Sequence, residues 1–443
     1  MERYASYKDS GIEWIGEIPA HWKLVRLKED NSLAGRIGWQ GLTSNEYVDD
    51  GPYLVTGVDF NKGEIDWNKC THITETRWKE ASQIQLLPDD LLITKDGTIG
   101  KVALAKGLDC EASLNSGVML IRQVDSLINR KYLFWILQSE VFWGWFGDIN
   151  SGNTSIIHLY QRDFNNFLYC LPPVSDQKAI ADYLDEKTAE IDSLIEKTER
   201  SIELLEEYRK AVISEAVTKG LDPDAPMKDS GIEWIGEIPA HWEIAKLAHV
   251  AIRRSGHTPD KKIQAYWENG DIVWVSLADS PKLRFQRYID SSSTLTTQAG
   301  IDNSSAELLP KGSVLLSRDA TVGLCAIADC ELAVSQHFMA YECGERLSNE
   351  FLLDVFHSMT QEFEKLSMGS TIPTIGLPEV KAFKIPLPPL GEQNEIESVL
   401  ARETSIIDDL INTKRKGLVL LKDYRKSLIS EAVTGKFKVP GVA

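Results

Sequence analysis

Lys8 to Trp22 read KDSGIEWIGEIPAHW, and Lys228 to Trp242 read the same 15 residues without one difference. An identical segment recurring 220 residues downstream in a 443-residue chain makes the molecule two versions of one unit. The register then drifts in small steps. Pro88 pairs with Pro310, Met119 with Met339, Gly152 with Gly369 and Pro172 with Pro388, offsets of 222, 220, 217 and 216. From there the copies stay locked, and EYRKAVISEAVTKG at 207–220 matches DYRKSLISEAVTGK at 423–436. Small offsets are what loop insertions and deletions leave in a shared scaffold.

Each copy has two unlike parts. The first, 23–170 and 243–385, is rich in short apolar runs broken by Gly, Pro, Asp and Asn, such as Leu91-Leu-Ile-Thr and Ser313-Val-Leu-Leu-Ser. These predict short strands, with one helix near 130–143 and its partner near 349–366, hence a mixed α+β domain. The second part predicts one long helix. It starts after Leu-Pro-Pro at 171–173, with Ser175 as N-cap and Asp176 in the first turn, and stops at Gly220. Leu387-Pro-Pro and Gly435 hold the same places in the second copy. Apolar residues recur at heptad spacing, with Leu184, Ile191, Leu205 and Val212 on one row and Ile195, Ile202 and Ala216 on the other. Leu400, Ile407, Leu421, Leu428 and Ile411, Leu418, Ala432 repeat those rows. Identical phase in two copies favours pairing of the helices with each other over each packing on its own domain. Arg209 and Arg425 fall on the apolar rows and are expected to fix register through Glu206, Glu207 or Asp423.

A duplicated chain can fold about a pseudo-two-fold axis, like a homodimer joined end to end. Antiparallel helices of about 44 residues would hold the two domains apart on a rod of roughly 60–65 Å. Rigid spacing of two similar modules is how proteins read two DNA half-sites. The flanks and helices agree closely between copies, but GRIGWQGLTSNEY in the first stands where the second has RRSGHTPDKKIQAYW. One frame with two faces suits two unlike half-sites.

Composition limits this reading. The net charge of −18 requires phosphate contacts to be few and clustered, or supplied by a more basic partner. Residues 23–170 alone carry 15 basic and 19 acidic side chains. No apolar run approaches a membrane span, the polar N-terminus lacks a signal peptide, and six scattered cysteines without a CxxC pair point to a reducing cytoplasm. Cys325 and Cys330 lack further ligands for zinc, so no metal is expected.

Catalysis should leave residues, and none appear. There is no phosphate-binding loop, since Gly97-Thr-Ile-Gly-Lys101 lacks the spacing, and no G-x-S-x-G elbow or H-E-x-x-H helix. The Asn/Asp-Pro-Pro-aromatic motif of base methylation is missing, because Pro172-Pro173 and Pro388-Pro389 are preceded by Leu.

DNA contact needs Arg or Lys for guanine and phosphate, Asn or Gln for adenine, and small hydroxyls for phosphate. Two matched turns fit: Thr94-Lys95-Asp96-Gly97-Thr98 and Ser317-Arg318-Asp319-Ala320-Thr321. Lys95, Thr98, Arg318 and Thr321 are candidates there, with an ordinary charged hairpin as the alternative. Arg253, Arg254, Lys261 and Lys262 bracket a turn that adds His257 and Thr258. Asn153, Thr154 and Ser155 match a loop containing Ser370 and Thr371, and Arg36, Trp39 and Gln40 open the first domain. Trp14, Trp22, Trp234 and Trp242 are identical in both copies and cannot discriminate half-sites. Core packing or a partner interface is their expected role.

The KDSGIEWIGEIP–HW start, SGHTPD…YWENGDIVWVS, LLPKGSVLLSRDATVG, PLPPLGEQ and LISEAVTGK occur together. With its double architecture, the whole chain resembles the specificity subunit of a type I restriction–modification system. The resemblance implies target-recognition domains at 1–170 and, with a linker, 221–386, a central conserved helix at 171–220, and a distal helix with C-terminal tail at 387–443. It implies recognition of a split, asymmetric double-stranded DNA site, without catalysis by this chain. Two methyltransferase subunits using S-adenosylmethionine on adenine, and motor-nuclease subunits using ATP and Mg, are the implied partners, in the cytoplasm. One departure is visible: the first copy lacks the Gly-x-Thr-Pro turn of Gly256–Pro259. A coiled-coil scaffold that binds protein, or an enzyme with an unfamiliar site, are the rival functions. The scaffold does not explain why the faces differ around one frame.

Overall fold

The computed structural model describes residues 2–36, 42–124, 127–152, 157–284, 286–367 and 373–442. Trp39, Gln40, Asn153, Thr154, Ser155, Ser370 and Thr371 lie outside the described residues. The chain forms two compact units, Met1–Glu199 with Lys416–Ala443, and Arg200–Arg415. Each unit therefore draws on both long helices, which span Val174–Lys219 (the central helix) and Leu390–Val433 (the distal helix).

In the first unit the strand Leu91–Thr94 lies between Val118–Gln123 and Val102–Leu104, in a six-stranded sheet that begins with Asn31–Gly35. The second unit repeats this with Val314–Ser317 between Phe338–Cys343 and Cys325–Ala328, and with Ala251–Ser255 at the edge. Met119 stands opposite Ile93 and Met339 opposite Leu316, so the sequence register is also the strand register. Strand alternation then divides each interior in two. Leu91, Ile93, Met119 and Ile121 face a core shared with the helices, while Leu92, Val118 and Leu120 face a second core. Val314, Leu316, Met339 and Tyr341 do the former in the second unit, and Leu315, Phe338 and Ala340 the latter. Both sides of the sheet are covered, which is why these strands read as continuous apolar runs.

The helix expected near 130–143 is two helices, Arg130–Ile136 and Glu140–Ile149. The break is at Ser139, whose hydroxyl donates to the Ile136 carbonyl at 2.7 Å and accepts the Val141 amide at 3.2 Å. Its counterpart also divides, into Asn349–Ser358 and Thr360–Ser367.

Ser175 is not the N-cap of the central helix. The Pro173 carbonyl already accepts the amides of Asp176 and Gln177, at 2.9 and 3.0 Å, and Ser175 sits inside the first turn. Gly220 and Gly435 end the helices with φ of +75° and +67°, where a side chain would be strained.

Within each unit the helix segments run antiparallel. In the first unit Ile180, Leu184 and Ile191 share a buried cluster with Leu428, Ile429 and Ala432, and Arg425 grips Asp192 through two bonds of 2.7 and 3.0 Å. In the second, Ile213 and Ala216 pack with Ile396 and Leu400, and Arg209 meets Asp408 at 2.9 Å. The expected pairing of Arg209 and Arg425 with Glu206, Glu207 or Asp423 is thus corrected: both arginines reach across to the other helix, and Glu206 takes Arg415 at 2.7 Å. The reason is geometric, since Asp192 and Asp408 stand at equivalent places one helix away. Half-exposed pairs of this kind contribute at most about 1 kcal/mol, so their effect is on register.

The repeated 15-residue segment folds as a hairpin, with Lys8 opposite Ile18 and Lys228 opposite Ile238. Trp22 and Trp242, expected from sequence in the core or at a partner interface, are 0% exposed and belong to the core of their own units. Trp14 and Trp234 are half-buried against the same cores. The two buried indoles differ in one respect. Trp242 Nε1 donates to Glu392 at 2.9 Å, whereas Trp22 Nε1 has no hydrogen-bond partner among the described residues. Asp176, one methylene shorter, stands where Glu392 does in the repeat. Asp176→Glu is therefore expected to raise stability by about 1 kcal/mol, read by urea unfolding. A neutral or destabilising effect would show that side-chain length does not govern this bond.

Candidate nucleic-acid interface

The matched turns grow from the ends of the central strands. Thr94 closes its turn by donating to the Thr98 carbonyl at 2.6 Å and accepting the Lys101 amide at 2.9 Å. Ser317 does the same with the Thr321 carbonyl and, at 3.0 Å, the Leu324 amide. Gly97 and Ala320 occupy the left-handed region at φ +69° and +61°. Alanine is disfavoured there by roughly 1–2 kcal/mol, and such strain persists where the surroundings impose it. Here the Ala320 amide is held by the Pro373 carbonyl at 2.9 Å.

The basic residue of each turn is pinned on both backbone sides. Lys95 donates to the Gly117 carbonyl and accepts from Leu159, and Arg318 donates to His337 and accepts from Ile375, all at 2.9–3.0 Å. The neighbouring acid is latched by a histidine in both units, but from different segments. Asp96 meets His158 Nδ1 at 2.5 Å, and Asp319 meets His337 Nδ1 at 3.1 Å. Thr98 is exposed, and the Thr321 hydroxyl lies 3.1 Å from that of Ser280.

In the second unit three segments converge. Gly256 passes so close to the Ser335 and Val334 carbonyls that a Cβ would stand 2.1 and 2.3 Å from them. The His257 amide bonds the Val334 carbonyl at 3.0 Å, and the Thr258 hydroxyl donates to Gln336 Oε1. This brings the Gly256–Pro259 turn onto the Ser335–His337 apex, and His337 in turn touches the Arg318 turn. A groove of about 870 Å³ opens beside them, lined by Thr258, Lys261, Lys262, Gln264, Trp267 and Gln336. Ser335 Oγ is buried at this groove without a hydrogen-bond partner among the described residues, and in the adjoining turn Arg318 Nε lies 3.6 Å from Asp319 Oδ2 as an ion pair.

Three expected contacts do not join this site. Arg36 is 5% exposed, its guanidinium bound to the Leu114 carbonyl at 2.7 Å and the Ser113 hydroxyl at 3.1 Å, and burial pulls its pKa below the ordinary value. Arg253 and Arg254 are successive strand residues and so point to opposite faces. Arg253 stands opposite Tyr341, on the helix-side core. Arg254 bonds Glu342 at 2.7 Å and Glu307 at 3.3 Å, and these carboxylates raise its pKa. The basic cluster read from sequence is thereby reduced to Lys261 and Lys262, both exposed, with His257 and Thr258 beside them.

The sequence reading missed Ser335, Gln336, His337, Gln264 and His158. One signal was available. Between matched strands the first copy has Asn115-Ser116-Gly117 and the second Ser335-Gln336-His337, a divergence inside the frame.

Comparison with known proteins gives the same architecture a family. A chain of a type I R-M system, solved in a study of its complex assembly and conformational transition, superposes with a TM-score of 0.75 at 18% identity, over 95% of this chain and 99% of that one. The HsdS subunit from Thermoanaerobacter tengcongensis gives 0.53 at 18% identity, over 95% and 98%. The putative type I restriction enzyme MjaX specificity subunit of Methanocaldococcus jannaschii is 26% identical over 432 residues, 96% of each chain. The MjaVIII specificity subunit of that organism is 26% identical over 438 residues, 95% of this chain and 94% of its own. The family model described as type I restriction modification DNA specificity domain matches residues 40–204 and again 239–419. Two matches, one per copy of the repeat, cover most of the sequence, and the chain belongs to the type I restriction–modification DNA specificity family.

Proposed function

We propose that each unit reads one part of a split, asymmetric DNA site, and that the chain directs partner subunits which methylate adenine or cleave. The carrying observation is the pair of turns at Lys95 and Arg318, which share one hydrogen-bond frame and a basic residue, while the apices beside them differ, Asn115-Ser116-Gly117 against Ser335-Gln336-His337. A common frame places each turn alike, and unlike side chains read unlike bases. The chain is the specificity component and not itself the catalyst. Lys95, Thr98, His257, Thr258, Lys261, Lys262, Arg318 and Thr321 are the proposed contacts, joined by Trp39, Gln40, Asn153, Thr154, Ser155, Ser370 and Thr371.

With a net charge of −18, the protein alone is a poor ligand for phosphate. Methyltransferase subunits, two per chain, are proposed to wrap the duplex and to carry S-adenosylmethionine. Motor-nuclease subunits would carry ATP and Mg. Trp14 and Trp234, half-buried at equivalent places, are proposed edges of the partner contact.

Mapping methylated adenines in the host genome tests this. A two-part motif should vanish on deletion of the gene and return on complementation. An unchanged set of methylated sites would overturn the proposal.

A further inference from the structure

The apex joining the last two strands of the sheet region differs between the units, yet each presents one carboxamide beside one hydroxyl. In the first unit the Ser116 hydroxyl donates to Asn115 Oδ1 at 2.9 Å. In the second the Thr258 hydroxyl donates to Gln336 Oε1. The partner hydroxyl comes from the adjacent residue in one case and from a distant loop in the other. The outcome is the same: the amide oxygen is fixed by one bond.

We infer that Asn115 and Gln336 are the adenine-reading amides, one for each half-site. An amide oxygen carries two lone pairs, so a hydroxyl orients the group and leaves one acceptor position open. The amide nitrogen carries two N–H donors. Gln336 Nε2 lies 3.3 Å from His337 Nε2, which occupies at most one of them. One open acceptor and one open donor match the N6 donor and N7 acceptor of adenine in the major groove.

Position supports the assignment. The residue closing each apex, Gly117 or His337, accepts the backbone amide of Lys95 or Arg318, so amide and cation stand on adjoining turns. A cation suited to phosphate or guanine beside an amide suited to adenine is the combination that base readout needs. Next to Gln336, the buried Ser335 Oγ has no hydrogen-bond partner among the described residues. Gln336 also lines the 870 Å³ groove, where an edge of a base pair has room to approach.

This inference rests on the proposed reading of DNA by the two units. Its test is to express the full chain with its partner subunits in a host lacking the gene and to map methylated motifs for wild type, Gln336→Ala, Gln336→Glu and Asn115→Ala. Gln336→Ala should relax one A·T position in one half of the motif, with discrimination there falling about 10- to 100-fold. The other half and the spacer should stay unchanged, which also shows that the variant folds and assembles. Asn115→Ala should relax one position in the opposite half. Gln336→Glu should shift preference at its position towards cytosine, whose N4 donates to a carboxylate. An unchanged motif in either alanine variant overturns the assignment, as does relaxation of both halves by one substitution. Loss of all methylation by both Gln336 variants while they still co-purify with the partners overturns it too. A wild-type chain that imposes no motif would instead overturn the DNA-reading function.

Discussion

Gln177→Ala is expected to lower the stability of the first unit by on the order of 3–6 kcal/mol, and Gln393→Ala to do the same in the second. Both glutamines are 0% exposed, and each makes three bonds to backbone. Gln177 donates to the Pro172 carbonyl at 2.9 Å and the Leu127 carbonyl at 3.0 Å, and its oxygen accepts the Asn129 amide at 2.7 Å. Gln393 donates to Pro388 and Arg346, and accepts from Ser348, at 2.9 Å in each case. One side chain thus ties the start of a long helix to the start of the helix that packs on the sheet. Alanine removes all three bonds, leaves the buried Pro172 or Pro388 carbonyl without its partner at about 1–3 kcal/mol, and adds a cavity. Asparagine is one methylene too short to span the same groups. Glutamate keeps the acceptor but replaces both donors by a buried charge facing two carbonyls, so it should be no milder. Calorimetry of the full chain should show the transition of the affected unit falling by roughly 10–20 °C. A drop below about 2 °C would mean that other contacts fix the start of the helix.

Local rules made much of this protein legible. The repeat, the two long helices with their glycine stops, the short apolar strands and the two matched turns all rest on neighbours in sequence, where periodicity and turn chemistry act. The importance of Arg209 and Arg425 for register was legible as well, but not their partners, because Asp408 and Asp192 lie 199 and 233 residues away. The same distance problem misdirected the site. Arg254 looks like a free cation until Glu307 and Glu342 arrive from 53 and 88 residues off. Arg36 looks like part of a basic loop until the Leu114 carbonyl closes over it. In the other direction Gln336 looks like an ordinary polar turn residue, because the Thr258 hydroxyl that orients it is 78 positions upstream. Basic residues were over-counted and amides under-counted for one reason: pairing is a tertiary property that composition does not carry. Gln177 and Gln393 were visible as matched positions after each Pro-Pro, yet only burial shows that they bind backbone rather than water.

Replacing Leu204 and Tyr208 together by aspartate is expected to remove one of the two proposed methyltransferase subunits, and replacing Leu420 and Tyr424 the other. These pairs are four residues apart on their helices, so each forms one face. Leu204 and Tyr208 are 49% and 58% exposed, Leu420 and Tyr424 68% and 50%, and the pairs correspond at the repeat offset of 216. Leu194 and Leu410, also equivalent, are 50% and 44% exposed. Within each unit the inward rows of the helices are occupied by buried residues such as Ile191, Leu428, Ile407 and Ile411, so these outward apolar groups do not serve the helix pairing. Large apolar side chains kept exposed at matched places mark a contact with another protein, and tyrosine is a frequent anchor of such contacts. Because the copies are equivalent, one partner surface would serve both, as the proposed pair of identical subunits requires. Two buried anchors lost from one contact weaken binding on the order of a thousandfold. Exposed positions tolerate the change, so the chain's own unfolding should shift little. Native mass spectrometry of the co-expressed complex reads the outcome: two partner chains for wild type, one for either double variant, none for the fourfold variant. A double variant that still carries two would place the partner contact elsewhere on the chain.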